Sequence, residues 1–510
     1  YIYCQSGATV EDHEQTVVCY VATWAVYRPS RGRFSLDDVD PLLCTHLVYS
    51  FLGMDNKTYT LMPLDYEYDV NKANLSFSGG FEKAIGLKKV NPRLKVTVAV
   101  GGWTEGSEKY SRMASSPKLR KTFIDSAVAF IRKNNFDGLD LDWEYPANRG
   151  GKPEDKENFV HLLREMKEAF QPYQWILTAA VGAGSSTIDT AYDIPKMSEY
   201  LDLIHMMGYD YHGKWDQETG HNAPLYARID ESPVQQTLNV NFSVHYYLSQ
   251  GAPPEKFVLG LGLYGRTFLL TNSSNPGIGA PARKSAFAGP YTREDGFLGY
   301  NEICEKLLTE KWSLAWQAAH QAPYMFKDNM WVSFDDVNSL GLKVAFAQRL
   351  GLAGVMVWSM DTDDFSGQCG NRYPLLNSIN RNLALHAKSR FQERVSTTRP
   401  TMKPTMRPTT QTSKQSTPWP SALPSSPSSF WPSISTTFYS SSPSSPTDYY
   451  ELDKDKPDRV DIDFDTDYNN NLEDTRYYPV SGKQSDSSAT NLAVSIPIML
   501  SILLSSILCS

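Results

Sequence analysis

Short apolar runs rich in β-branched residues recur along the first three quarters of the chain, each followed by a turn or by a stretch of helical periodicity. They fall at residues 17–23, 46–51, 96–100, 138–144, 176–181, 203–207, 258–263 and 354–358. Runs of this length suit buried strands, whereas 119–133 and 157–170 repeat their apolar positions at helical spacing. Eight strands alternating with helices predict an α/β chain whose parallel sheet closes as a (β/α)8 TIM barrel. One long gap, 269–333, separates the seventh and eighth strands. Its Gly, Pro and aromatic content predicts a small α+β insertion walling a cleft. In such barrels chemistry sits at the carboxyl ends of the strands.

The pattern changes abruptly beyond about residue 387. From 396 to 447 the chain is Ser, Thr and Pro with little else, and an acidic stretch follows at 453–474. Such segments bury too little apolar surface to offset their ordering entropy and read as an O-glycosylated stalk. The predicted organisation is an N-terminal extension (1–16), a catalytic barrel (17–387), a stalk (388–490) and an apolar tail (491–510). The tail lacks the Lys or Arg that usually flanks a membrane span on its cytosolic side. Small residues, a polar spacer and a terminal apolar run fit a GPI-attachment signal, so a cell-surface protein is expected. The start at Tyr1, without an apolar leader, reads as a mature product whose signal peptide has been removed. Sequons at Asn56, Asn74, Asn241 and Asn272 agree with an extracellular, secreted or surface location.

The six cysteines show no metal-binding spacing, so neither zinc nor any cofactor is expected. Cys19 and Cys44 fall in neighbouring predicted strands and suit a bridge. Cys304 with Cys369 would make a second, leaving Cys4 free or intermolecular if the tail carrying Cys509 is removed. A net charge of −8 argues against nucleic acid as a partner. Many of the 11 Trp, 29 Tyr and 22 Phe will fill core, but the supply also suits a surface that stacks sugar rings.

The most informative run is Asp137-Gly138-Leu139-Asp140-Leu141-Asp142-Trp143-Glu144-Tyr145-Pro146. Alternation along a strand puts Asp140, Asp142 and Glu144 on one face and Leu139, Leu141 and Trp143 on the other. Carboxylates about 6–7 Å apart along a strand cannot all ionise cheaply. At least one should hold its proton near neutrality, which is what a general acid needs. The other strand ends carry Trp24, Phe51, Trp103, Tyr209-Asp210, Tyr264-Gly265-Arg266 and Trp358, an aromatic rim suited to ring-shaped substrates.

With these motifs in order, residues 16–387 resemble glycoside hydrolase family 18, the chitinases. The family signature DxxDxDxE stands as Asp137, Asp140, Asp142 and Glu144. It is accompanied by Val18-Cys19-Tyr20 with Trp24, Ser50-Phe51, Gly101-Gly102-Trp103, Met207-Gly208-Tyr209-Asp210, Tyr264-Gly265-Arg266 and Trp358-Ser359-Met360-Asp361. The resemblance implies an endo-acting, retaining chitinase in which the substrate's own acetamido group is the nucleophile. Glu144 would be the acid and then the base. Asp142 and Tyr209 would orient the acetamido group, and Asp140 would share a proton with Asp142. It further implies sugar contacts from Tyr20, Trp24, Phe51, Trp103, Tyr145, Met207, Asp210, Trp215, Tyr264, Arg266 and Trp358. Non-proline cis peptides are implied at Ser50–Phe51, Glu144–Tyr145 and Trp358–Ser359. Partners would be chitin and chito-oligosaccharides, met by a monomer with a GPI-type membrane attachment. No cysteine-rich chitin-binding module follows the linker, which favours soluble or surface-accessible chains over crystalline chitin.

Three other readings stay open on sequence alone. A catalytically weak chitin-binding lectin of the same fold would lack the acid that Glu144 supplies. A surface adhesion glycoprotein would use only the stalk and tail. A hydrolase acting on N-glycans would share the mechanism but has less use for a long aromatic cleft.

Overall fold

The structure is a computed structural model and describes residues 8–70 and 79–397. Asn74, Cys4, Cys509, the stalk beyond Thr397 and the apolar tail lie outside the described residues; the helix Pro374–Thr397 runs past the predicted end of the barrel at residue 387. No helix among the described residues is long and apolar enough to cross a membrane.

Fourteen strands are described: β1 (Thr16–Ala22), β2 (His46–Met54), β3 (Leu61–Pro63), β4 (Lys95–Gly101), β5 (Gly138–Asp142), β6 (Ile176–Val181), β7 (Leu203–Met206), β8 (Phe257–Gly262), β9 (Tyr264–Leu269), β10 (Phe297–Gly299), β11 (Ser313–Gln317), β12 (Ala322–Lys327), β13 (Met330–Ser333) and β14 (Gly354–Trp358). Eight of them run parallel in the order β1-β14-β8-β7-β6-β5-β4-β2, and β1 pairs with β2 to close the barrel. β3 adds an antiparallel hairpin to β2 at the mouth. The alternation predicted for the strands sorts the core. Val18, Tyr20, Val48, Ala99, Val258 and Met356 pack inside the barrel. Leu139, Leu141 and Trp143 join the layer between barrel and helices, with Trp143 edge-on to Phe159 of the helix Asp155–Phe170.

Local chemistry sets the element ends. Ser116 caps the helix Pro117–Asn134, which has Pro in its first turn and stops at Asn135 in the left-handed region. Buried Phe123, Ile124, Ala127 and Ile131 hold its inner face on the sheet. Asp137 lies at the amino end of β5, away from the mouth. It accepts from the Val96 amide at 2.7 Å and pairs with Lys88 at 2.7 Å. The first acid of the signature therefore fastens β4 to β5.

The remaining strands form an antiparallel sheet, β10-β9-β13-β12-β11, beside the helix Tyr300–Thr309. This sheet opens at Tyr264, five residues before the start inferred from the apolar gap, because Tyr264 and Arg266 pair with β10 rather than ending in a loop. Disulfides join Cys19 to Cys44 and Cys304 to Cys369. Cys44 sits in the turn before β2, not in the strand itself. The second bridge fastens the inserted helix to the segment after β14.

Candidate active site

The predicted site residues lie on the barrel strands or in the segments beyond their carboxyl ends, except Asp137 at the amino end of β5 and Tyr264 and Arg266, which the inserted sheet supplies from β9. β5 ends at Asp142, so Glu144 is not a strand residue as the alternation had suggested. It stands in the turn beyond, before a cis bond to Tyr145. Cis bonds also occur at Ser50–Phe51 and Trp358–Ser359. The turn is fitted closely to its neighbour. Gly101 and Gly102 have φ of 117° and 88°, a region that side chains rarely adopt. A Cβ at Gly101 would lie 2.0 Å from the Asp142 carbonyl oxygen, and one at Gly102 would lie 2.8 Å from the Phe51 ring. The Gly102 amide donates to that Asp142 oxygen at 2.8 Å.

Asp140, Asp142 and Glu144 are all buried. Asp140 points into the barrel, where Tyr20 donates to Oδ2 at 2.7 Å and Thr178 to Oδ1 at 2.5 Å. Asp142 Oδ1 is buried with no hydrogen-bond partner among the described residues. Burial, and then the charges of Glu144 and Asp140, raise the Asp142 pKa well above the usual carboxyl range. Glu144 is pushed up to about 7, chiefly by burial, with the Asp210 charge adding to it. A hydrogen bond from Tyr145 and the Arg149 cation pull it partly back. The expected elevation is present, but its first cause is loss of solvent rather than the crowding of carboxylates along a strand.

The aromatic rim is continuous on one side. Trp24 stacks on Phe51 at 6.1 Å, Phe51 on Trp358 at 5.7 Å, and Trp358 contacts Tyr20 at 5.8 Å. Trp24 is 45% and Trp103 49% exposed, so both offer ring faces to solvent. Asp361 ties this side together, accepting from the Ala22 amide at 2.9 Å and pairing with Arg28 at 2.7 Å. Across the mouth, Tyr209 meets Tyr264 edge-on at 5.9 Å, and Met207 packs on the interior cluster. Asp210 accepts hydrogen bonds from the Tyr264 hydroxyl at 2.6 Å and from Arg266 Nε at 2.7 Å. The Arg266 guanidinium lies 5.3 Å from the centre of the half-exposed Trp215 ring.

Four residues in this assembly were not read from the sequence. Asn222, far along the loop after β7, accepts from the Asp210 amide at 3.0 Å. Arg149 donates to the carbonyls of Glu144 and Trp103 at 3.0 Å each and lies 3.5 Å over the Trp103 ring. Thr178 and His205 surround Asp140. Polar residues at inward positions of buried strands are a legible signal for the last two; nothing local marks Asn222 or Arg149.

Known proteins share this fold. A family model described as Glycosyl hydrolases family 18 matches residues 16–363. The chain is 46% identical over 402 residues to "Probable chitinase 2" of Drosophila melanogaster, covering 72% of this chain and 80% of that protein. A crystal structure of Ostrinia furnacalis Group IV chitinase in complex with allosamidin superimposes with a TM-score of 0.70 at 46% identity, over 73% of this chain and 99% of that one. Human YKL-39, described as a pseudo-chitinase with retained chitooligosaccharide binding, superimposes with a TM-score of 0.66 at 36% identity, over 72% of this chain and 100% of that one. The family match runs from the first barrel strand to beyond the last and takes in the carboxylates and the aromatic rim: this chain belongs to the glycosyl hydrolases of family 18.

Proposed function

We propose that the chain is an endo-acting chitinase that cleaves β-1,4-linked N-acetylglucosamine chains with retention of configuration. The observation that carries this reading is the pair formed by Glu144 and Asp142. Glu144 is buried and holds a proton up to about pH 7. Beside it Asp142 presents a buried oxygen that no donor among the described residues satisfies. A buried acceptor without a partner is costly, and the amide N–H of an acetamido group would meet it.

Glu144 donates its proton to the glycosidic oxygen as the bond to C1 breaks. The acetamido carbonyl oxygen forms the new bond to C1 from the opposite face, giving an oxazolinium ion whose positive charge Asp142 stabilises. Tyr209 orients the same carbonyl oxygen, and Asp140 supports Asp142 from below. Glu144, now a carboxylate, takes a proton from water as that water opens the oxazolinium, restoring the acid and the original anomeric configuration. Trp358 floors the sugar that reacts. Trp24, Phe51, Trp103 and Trp215 extend the stacking surface along the cleft, with Tyr20, Tyr145, Met207, Asp210, Tyr264 and Arg266 completing the reacting subsite.

The Glu144→Gln variant keeps the shape and removes the proton donor. Hydrolysis of an N-acetylglucosamine hexamer should fall by at least about a hundredfold while oligomer binding persists. The first product of the native protein should be the β-anomer by NMR. A lectin would bind the hexamer and leave it whole with either side chain at 144, which would sink the enzyme reading. The two disulfides suit an oxidising compartment, in keeping with a secreted or surface-attached barrel carried on its stalk.

A further inference from the structure

The floor of the barrel holds one group that the reaction above does not use. His205 is 1% exposed. Its Nδ1 lies 2.9 Å from the Tyr20 hydroxyl oxygen and 3.2 Å from Asp140 Oδ1. Its other nitrogen, Nε2, is buried without a hydrogen-bond partner among the described residues. The register explains the meeting. Asp140 pairs with Thr178 across β5 and β6, and His205 pairs with Ala180 across β6 and β7, all facing inward with Tyr20 from β1.

Counting protons leaves two arrangements for a neutral imidazole, and a charged ring would add an orphaned N–H at Nε2. Tyr20 has one hydroxyl proton to give. If it goes to Asp140, His205 must carry its own proton on Nδ1 and direct it at the Tyr20 oxygen. If it goes to His205, Nδ1 is bare, Asp140 must itself be protonated to satisfy Tyr20, and Nε2 carries a buried N–H that reaches nothing. The first arrangement leaves only an unused acceptor at Nε2, and orphaned buried N–H groups are the rarer and costlier kind. His46, the nearby histidine, is neutral at ordinary pH: burial first, and then His205, brings its pKa down to about 4. The charged and titratable neighbours of His205 are thus Asp140, Tyr20 and His46.

We propose that His205 is a positioning residue for the reaction: protonated on Nδ1, it donates to the Tyr20 oxygen and so commits the Tyr20 proton to Asp140, which with Thr178 as second donor is held as an acceptor-only carboxylate, so that the proton kept by the buried acids stays on Asp142 and Glu144. The catalytic consequence rests on the function proposed above; the placement of the proton does not.

Two measurements on the full chain test it. Side-chain 15N spectra of histidine-labelled protein, assigned by loss of one signal in His205→Asn, should show a proton on Nδ1 of His205. A bare Nδ1 overturns the proposal, whether or not the protein cleaves chitin. In hydrolysis of the hexamer, His205→Leu removes the donor, and kcat should fall about ten- to hundredfold with KM within about threefold. His205→Asn, which keeps a short N–H donor, should recover kcat to within about threefold of the native protein. Equal loss in both variants, or no loss in His205→Leu, would mean that the ring only fills space. If the native protein fails to cleave the hexamer, the proposed function falls, and the 15N result still decides the placement of the proton.

Discussion

Glu144 keeps its proton near neutrality because burial penalises its carboxylate more than Tyr145 and Arg149 favour it. With a pKa of about 7 in the free protein, kcat/KM should decline as pH rises through that value, since the ionised side chain cannot donate. Arg149 acts on the same group. Removing its cation in Arg149→Ala takes away a charge that favours the Glu144 carboxylate, so the alkaline limb should move to higher pH. The same change unsupports Trp103, whose ring it covers at 3.5 Å, so KM for long oligomers should rise. Arg149→Lys keeps the charge without the planar stack and two-carbonyl fork, and should retain the native limb while still raising KM. A limb that stays put in Arg149→Ala would remove Arg149 from the electrostatics of the site. The acids, the aromatic rim and their order were readable because each belongs to a contiguous motif. Arg149 was not, because its value comes from carbonyls on two different strand ends.

Elements place these residues through close backbone approach and through what their faces bury. Gly102, with φ of 88° and the Phe51 ring where its Cβ would be, cannot be changed quietly. Gly102→Ala should cost on the order of 1–3 kcal/mol by chemical denaturation, and the displaced Phe51 and Trp103 should weaken oligomer binding. Burial also sorts the sequons. Ser243 is buried on the helix Val240–Ser249, where it donates to the Ala183 carbonyl and accepts from Tyr211. Asn56 and Asn272 are exposed. Glycopeptide mass spectrometry should therefore find glycans at Asn56 and Asn272 and none at Asn241; an occupied Asn241 would contradict this. Strand positions were legible to within a residue or two from apolar runs, except that β2 runs three residues past its predicted end, to Met54. The true end of β5 and the early start of the inserted sheet were not, because both are set by pairing partners distant in sequence.

At the scale of the molecule, a site made by burying acids carries a stability penalty. The folded-state pKa of Glu144 is raised relative to an unfolded glutamate, so its contribution is favourable only below the unfolded value and is lost as pH rises through about 7. At pH 8 the penalty is on the order of 3 kcal/mol, and Glu144→Gln removes it. The variant should melt above the native protein at pH 8, and the gap should shrink towards pH 5; a gap independent of pH would refute the linkage. Asp69 and Asp363, also raised to about 7 by burial, act in the same direction. Partly buried His46 and buried His221, whose pKa values are lowered, oppose them on the acid side. The sequence alone determined the alternation of strands and helices, the cluster of acids and the aromatic supply, because period and motif are local properties of the chain. Only the tertiary structure decided which oxygen of Asp142 is left without a partner, which donors surround Asp140, and that solvent exclusion rather than mutual repulsion dominates the Glu144 proton. Those depend on groups that the closure of the barrel brings together from strands 38 to 120 residues away from Asp140 along the chain.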